Sequence, residues 1–274
     1  MIGVRVGLIA GVRVGVAGGI NADPIAPDTN NPMASVTRDS TSGIYWPSNV
    51  AEWTTTLSVA GLAGGNPTGL WNCQDASGNL ADAIGSQVLT VTGAVLYQQA
   101  ISGWSRKCFA MNATTAKAVA PAGYVPSSSS TAWLGYLFLT TTPGANRVVF
   151  VLSDGATNTG GRFDHTAADK LQPVEGANNA ITTNNYTGTA VFPALYVVDW
   201  THSTATLFTH LEARTVTFSA LLVDGNKGLG ALVGTGDLTA RWAGVAAFAG
   251  AAAEQFTTSG ARSLLSTLGW GPLF

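Results

Sequence analysis

Charge is scarce in this chain. Only 10% of its 274 residues are charged, against roughly 25% in an ordinary soluble domain. The 13 Lys and Arg are balanced by 15 Asp and Glu, for a net charge of −2. No basic excess exists to neutralise a phosphate backbone, which excludes nucleic acid as a partner. Long apolar runs are missing as well: the most apolar stretches, residues 148–152 and 243–253, fall far short of the roughly 20 residues a spanning helix needs. No membrane partner is expected. Cysteine is limited to Cys73 and Cys108, too few for a disulfide framework. Alternation puts Cys73 on the face of Trp71, as a buried thiol, and whether the two cysteines pair stays open. What is present is 46% hydrophobic residues and 33 glycines, which excludes disorder. A surface so poor in charge favours association, so much of it is expected to be covered by partners.

The glycines begin in a repeat. Gly3-Val4-Arg5-Val6-Gly7-Leu8-Ile9-Ala10 is echoed by Gly11-Val12-Arg13-Val14-Gly15-Val16-Ala17-Gly18. Val-Arg-Val alternates at period two, and glycine at this density disfavours helix, so each copy reads as a short extended strand. Such a strand suits addition to a neighbouring sheet edge. Val4, Arg5, Val6, Val12, Arg13 and Val14 are therefore candidate assembly-arm residues, the alternative being a first strand pair within the domain. Arg13 splits the apolar run, so a secretory leader is not expected. Pro24, Pro27 and Pro32 follow, in a stretch that reads as a linker.

Residues 40–47 read as a short strand ended by Pro47. Ser48 is the expected N-cap of a helix over residues 49–60, with Val50, Trp53, Leu57 and Ala60 forming one apolar stripe and Glu52 in the first turn. From Gly69 onward the pattern is all-β, with strands expected at 70–73, 88–92, 95–97, 107–111, 133–140, 147–152, 195–200, 205–211, 214–221 and 243–248. Clusters of Gly, Asn, Pro, Ser and Asp separate them. Many short strands of this kind indicate a sandwich or jelly roll. Near the end, Thr257 or Thr258 caps a short helix that turns Leu264, Leu265 and Leu268 inward and closes at Gly269.

The run Gly69-Leu70-Trp71-Asn72-Cys73-Gln74-Asp75-Ala76-Ser77-Gly78-Asn79-Leu80-Ala81-Asp82 resembles the opening of concanavalin A-like, laminin-G-type jelly rolls. Ser77-Gly78-Asn79 turns the chain and Asp82 closes the loop. Residues 191–211, and 244–248 with the helix after them, resemble the late strand pair and the ending of that fold. The stretch Ser42-Gly43-Ile44-Tyr45-Trp46-Pro47-Ser48-Asn49-Val50-Ala51-Glu52-Trp53 is similar to structural proteins of tailed phages and prophages. The resemblance implies an all-β, concanavalin-like (laminin-G-like) jelly-roll β-sandwich with an extended N-terminal arm and one or two short helices. Residues 1–35 would be arm and linker, 36–66 a short strand plus helix, and 67–274 the jelly roll.

No catalytic constellation emerges. Retaining glycoside hydrolases of this fold set two carboxylates about 5–5.5 Å apart from one strand. Glu52, Glu175, Glu212 and Glu254 each lack a carboxylate two residues away, leaving only separated pairs such as Asp199 with Glu212. His165, His202 and His210 have no metal-ligand spacing, and G-x-S-x-G, the Walker A loop and G-x-G-x-x-G are absent. The turns at Asp154 with Asn158, at Asp164, and at Asp224-Gly225-Asn226 suit calcium, but they equally suit plain turn chemistry. The expectation is no catalytic residue, no metal and no cofactor, with calcium the alternative. Tyr124 and Tyr186, in Gly/Pro/Asn-rich loops, are the candidate glycan contacts. The expected role is a virion structural protein, a capsid decoration or fibre-like subunit, found on the particle and bound to copies of itself and to a major capsid or tail protein. The alternative is a glycan- or receptor-binding adhesin module, with a glycoside hydrolase third.

Overall fold

A computed structural model describes residues 31–121, 130–152, 161–175, 178–188, 190–217, 227–230, 236–271 and 273–274. The arm residues Val4 to Val14, Tyr124, and the turns at Asp154 and Asp224 lie outside them. The described chain opens with helix α1 (Val50–Val59) and continues through β1 (Gly69–Trp71), β2 (Thr90–Thr92), β3 (Val95–Ile101), β4 (Trp104–Met111) and β5 (Lys117–Val119). Next come β6 (Thr131–Leu139), β7 (Arg147–Leu152), β8 (Arg162–His165), β9 (Leu171–Glu175) and β10 (Asn178–Asn179). The chain closes with β11 (Phe192–Asp199), β12 (Thr204–Phe208), β13 (Ala213–Thr217), β14 (Lys227–Gly230), β15 (Ala240–Ala249), α2 (Ala251–Glu254) and α3 (Thr258–Thr267).

The strands form two antiparallel sheets packed face to face, a β-sandwich. One has eight strands in the order β13-β12-β11-β6-β15-β4-β3, with β1 also on β15; the other has seven, in the order β10-β9-β8-β7-β14-β5-β2. Between them lies an aromatic core. Trp71 stacks on Trp133 at 5.2 Å, Trp133 meets Phe150 at 4.9 Å, and Phe163 meets Trp242 at 6.5 Å.

The eight-stranded sheet is buried on its other face too. There Leu134, Tyr136, Leu195, Ala246 and Phe248 pack against Trp46, Trp53 and Leu57 and against Leu264, Leu265 and Leu268 of the C-terminal helical region. Residues 36–66 are thus built into the sandwich as its outer layer. Because side chains alternate along a strand, burial on both faces makes β6 and β15 nearly continuous apolar runs. Two glycines make room for the large rings: a Cβ on Gly135 would sit 2.3 Å from Trp242, and one on Gly244 would sit 2.4 Å from Trp46.

Several local expectations change. The N-cap of α1 is Asn49, not Ser48, and its side chain accepts from the Glu52 amide. Glu52 in turn accepts from the Thr37 and Ser48 amides, both at 2.9 Å, which draws Ser48 into a neighbouring loop contact. The expected strand at 40–47 is reduced to one bridge between Arg38 and Tyr45, because Asp39 turns that segment by accepting from the Thr41 and Ser42 amides. Three short helices occur among the described residues where one or two were expected. Thr257 caps α3, and Leu264, Leu265 and Leu268 are buried, as the pattern indicated. Asp82 closes its loop by accepting from the amides of Leu70, Ile84 and Gln87. Cys73 and Cys108 are both buried and both free. They face opposite cores, and burial pushes both thiols up, Cys108 to about 11.

Candidate functional site

The polar side chains of the sandwich act first as clamps on loops. His165, at the end of β8, is completely buried, with Nδ1 2.8 Å from Asp237 and Nε2 3.2 Å from Asp169. Asp169 also accepts from the Thr187 amide at 2.9 Å and from its hydroxyl. Burial pushes the Asp169 carboxyl up, but the hydrogen bonds from Thr187 and His165 outweigh it and hold the group below its usual range. Glu212, in the turn between β12 and β13, accepts from the Thr183 amide at 2.8 Å, the Asn184 amide at 2.7 Å and the Tyr186 hydroxyl at 3.2 Å. Arg214 lies 2.8 Å from it. Here too burial is outweighed, by the two amides, and the carboxyl is held low. Between them the two clamps hold Thr183, Asn184, Tyr186 and Thr187, and the Gly188 amide then donates to the Leu139 carbonyl at 2.8 Å.

Just beyond that loop, Gly188, Ala190 and Val191 line one side of a cleft of about 530 Å³. Trp104 and Trp270 supply its aromatic side, stacked at 6.3 Å and 15°, with the Trp270 ring edge-on to Tyr136 at 5.2 Å. His210 tilts against Trp270 at 5.8 Å, and burial lowers its pKa from the ordinary value, which favours the neutral imidazole. Among the described residues no acidic, lysine or arginine side chain lines this cleft. It suits a neutral, partly apolar guest.

A second groove has a volume of about 310 Å³. Thr204, Thr206 and Thr215 present hydroxyls there, beside Glu254 and the pair of Asp199 with His202, which are 2.6 Å apart.

The sequence-derived site residues divide sharply. Tyr186 is a correction: its ring is 1% exposed and packs on Phe192 at 4.9 Å, and its hydroxyl bonds Thr209 and Glu212. It offers no face to a sugar. Its Gly/Asn-rich surroundings suggested an open loop, and the buried Glu212 carboxylate that draws the loop inward leaves no local pattern. Asp199 and Glu212 stand at opposite ends of β12, since Asp199 pairs with Thr204 while Glu212 follows Phe208, so no close carboxylate pair forms there. Asp164 lies in β8, bonded to Arg162 at 3.0 Å rather than in an open turn. Among the described residues no cluster of three metal-ligating side chains occurs. The cleft itself escaped sequence reading, because Trp104, His210 and Trp270 are separated by scores of residues and converge only through the sheet order.

No protein-family model and no curated protein matches the chain. Solved structures do. Trypanosoma rangeli sialidase matches with a TM-score of 0.56 at 13% identity, over 77% of this chain and 35% of the sialidase. The same sialidase in complex with the inhibitor DANA gives 0.55 at 12% identity, over 73% and 33%. The binding domain of botulinum neurotoxin DC in complex with rat synaptotagmin II gives 0.51 at 9% identity, over 75% and 52%. This chain spans about a third of the sialidase and half of the toxin domain. At such identity the likeness concerns fold alone, and the fold it shows is an all-β one.

Proposed function

We propose that the chain is a non-catalytic structural protein of a virion, a capsid-decorating or fibre-like subunit. Its sandwich, of the concanavalin-like jelly-roll type, faces outward, and residues 1–33 join it to copies of itself and to a capsid or tail protein. The observation carrying this reading is how the acidic groups are used. Asp39, Glu52, Asp82, Asp169 and Glu212 each hold backbone amides of a loop or cap, Asp164 pairs with Arg162, Asp237 with His165, and Glu254 accepts from Ser130. In a charge-poor chain these carboxylates serve architecture. Deleting residues 1–19 is expected to leave the β-sheet circular dichroism and melting intact while abolishing incorporation into particles, seen by co-sedimentation and electron microscopy. Full-efficiency incorporation without those residues overturns the reading.

The Thr-lined groove favours a second reading, a glycan- or receptor-binding module, because hydroxyls and a carboxylate over Phe208 and Phe256 are groups that bind polyols. The matched solved structures include a sialidase in complex with sialic acid and a toxin binding domain in complex with synaptotagmin II, partners of the kind this reading expects. A glycan array run with and without calcium separates this reading from the first.

A further inference from the structure

We infer that the 310 Å³ groove over β11, β12 and β13 is a saccharide subsite that selects amino-bearing sugars over acidic ones. The inference rests on the glycan-binding reading above and names the class of sugar.

Strand register builds the groove. Asp199 pairs with Thr204, Val197 with Thr206, Leu195 with Phe208, and Thr206 with Thr215. Paired residues share a face and successive residues alternate, so Val197, Asp199, Thr204, Thr206, Phe208 and Thr215 stand together on the outer face of the eight-stranded sheet. The turn from α2 into α3 supplies the opposite wall, with Glu254, Phe256 and Thr258. Val197, Phe208 and Phe256 are buried as its floor, while Thr215, Glu254 and Thr258 are exposed at its rim.

The groove has a sign. Ser130 ties both carboxylates to one end: its hydroxyl donates to Glu254 at 3.0 Å and accepts at 3.2 Å from the amide of Trp200, the neighbour of Asp199. Asp199 is engaged by His202, through the amide at 3.1 Å and Nδ1 at 2.6 Å. Glu254 Oε2 has no partner among the described residues, and no lysine or arginine among them lines the groove. An ammonium set against Glu254 gains a charge-assisted hydrogen bond, whereas a sugar carboxylate there meets like charge. Further along, the Thr206 and Thr215 hydroxyls share one hydrogen bond at 2.9 Å, so one of their two protons remains free to donate. With Thr204 they present hydroxyl contacts over an apolar floor, the combination that a ring bearing several OH groups fits.

The test titrates glucosamine, N-acetylglucosamine, glucuronic acid and cyclohexylamine into the ¹⁵N-labelled full chain and follows amide shifts. Glucosamine is expected to shift the amides of Thr206, Thr215 and Thr258 and to bind about three- to fivefold tighter than N-acetylglucosamine. Glucuronic acid should bind most weakly of the sugars. Glu254→Gln should erase the preference for the amine. The exposed rim variant Thr215→Trp should abolish the shifts with an unchanged melting temperature. Glucuronic acid binding as tightly as glucosamine overturns the charge selection, and sugar-induced shifts confined to another part of the sandwich overturn the groove; either leaves the glycan-binding reading standing. Cyclohexylamine binding as tightly as glucosamine overturns the saccharide subsite, since it carries the charge without the hydroxyls. No binding of any probe overturns the subsite, and a blank glycan array beside it overturns the glycan-binding reading as well.

Discussion

The two sheets are built on different terms. The eight-stranded sheet lies between two apolar layers, one shared with the seven-stranded sheet and one made by residues 44–62 with α2, α3 and the chain after it. The outer face of the seven-stranded sheet is mixed, setting Val148 and Val151 beside Arg162, Asp164 and Gln172. Strand length follows: β6 and β15 have nine and ten residues, whereas β5, β8 and β14 have three or four. A sheet with apolar cover on both faces sustains long strands of Val, Leu, Ala and aromatics. A sheet with a mixed face survives on short strands and loop clamps.

The largest effect should come from stripping the outer layer. Trp46→Ala removes a fully buried ring that meets Tyr136 at 4.7 Å and Trp53 at 6.3 Å, and should cost about 3–5 kcal/mol in denaturant titration. A cost under about 1 kcal/mol would mean that this layer is an accessory rather than half of the core. Next is the polar tie between layer and sheet. Asp39 accepts from the Ser105 and Arg106 amides of β4 and from the Ser105 hydroxyl. Burial pushes its carboxyl up, but these bonds and those from Ser42 outweigh it and lower the pKa from 3.8 to about 2. Because the folded pKa is the lower one, the stabilisation is complete above the unfolded value and is lost as pH falls from about 4 towards 2. Asp39→Asn should cost about 2 kcal/mol at neutral pH and flatten that acid limb in melting curves taken from pH 6 to pH 2. The smallest effect belongs to the seven-stranded sheet: Val151→Ala, losing two methyl groups from a small outer cluster, should cost roughly 1.5 kcal/mol. A loss as large as that of Trp46→Ala would erase the distinction between the sheets.

The same contrast governs what the sequence discloses. Most strands of the eight-stranded sheet are legible, because Trp133 to Leu139 and Ala243 to Phe248 cannot be anything but apolar when both faces are covered. Their ends shift by one to four residues, as where Thr131 and Ala240 extend the ladders through backbone pairing. In the seven-stranded sheet only β7 and β2 are readable. β8 is Arg-Phe-Asp-His, β9 contains Pro173 and β14 is Lys-Gly-Leu-Gly, so none shows the period of a strand. Their pairing is imposed by neighbours such as Phe150 and Phe163, and by the His165 clamp. For the site, the buried Trp and His positions were visible as residue types but not as neighbours. Glu212, which carries the 183–186 loop, was legible only as an isolated glutamate.

The proposed assembly role requires that the sandwich be joined to copies of itself through its N-terminal segment. The most direct test is light scattering on the full-length chain across a hundredfold range of concentration, beside the full-length variant carrying Val4, Val6, Val12 and Val14→Asp. A defined oligomer is expected for the natural chain and a folded monomer for the variant. A monomer of 28.0 kDa for the natural chain throughout that range would contradict it.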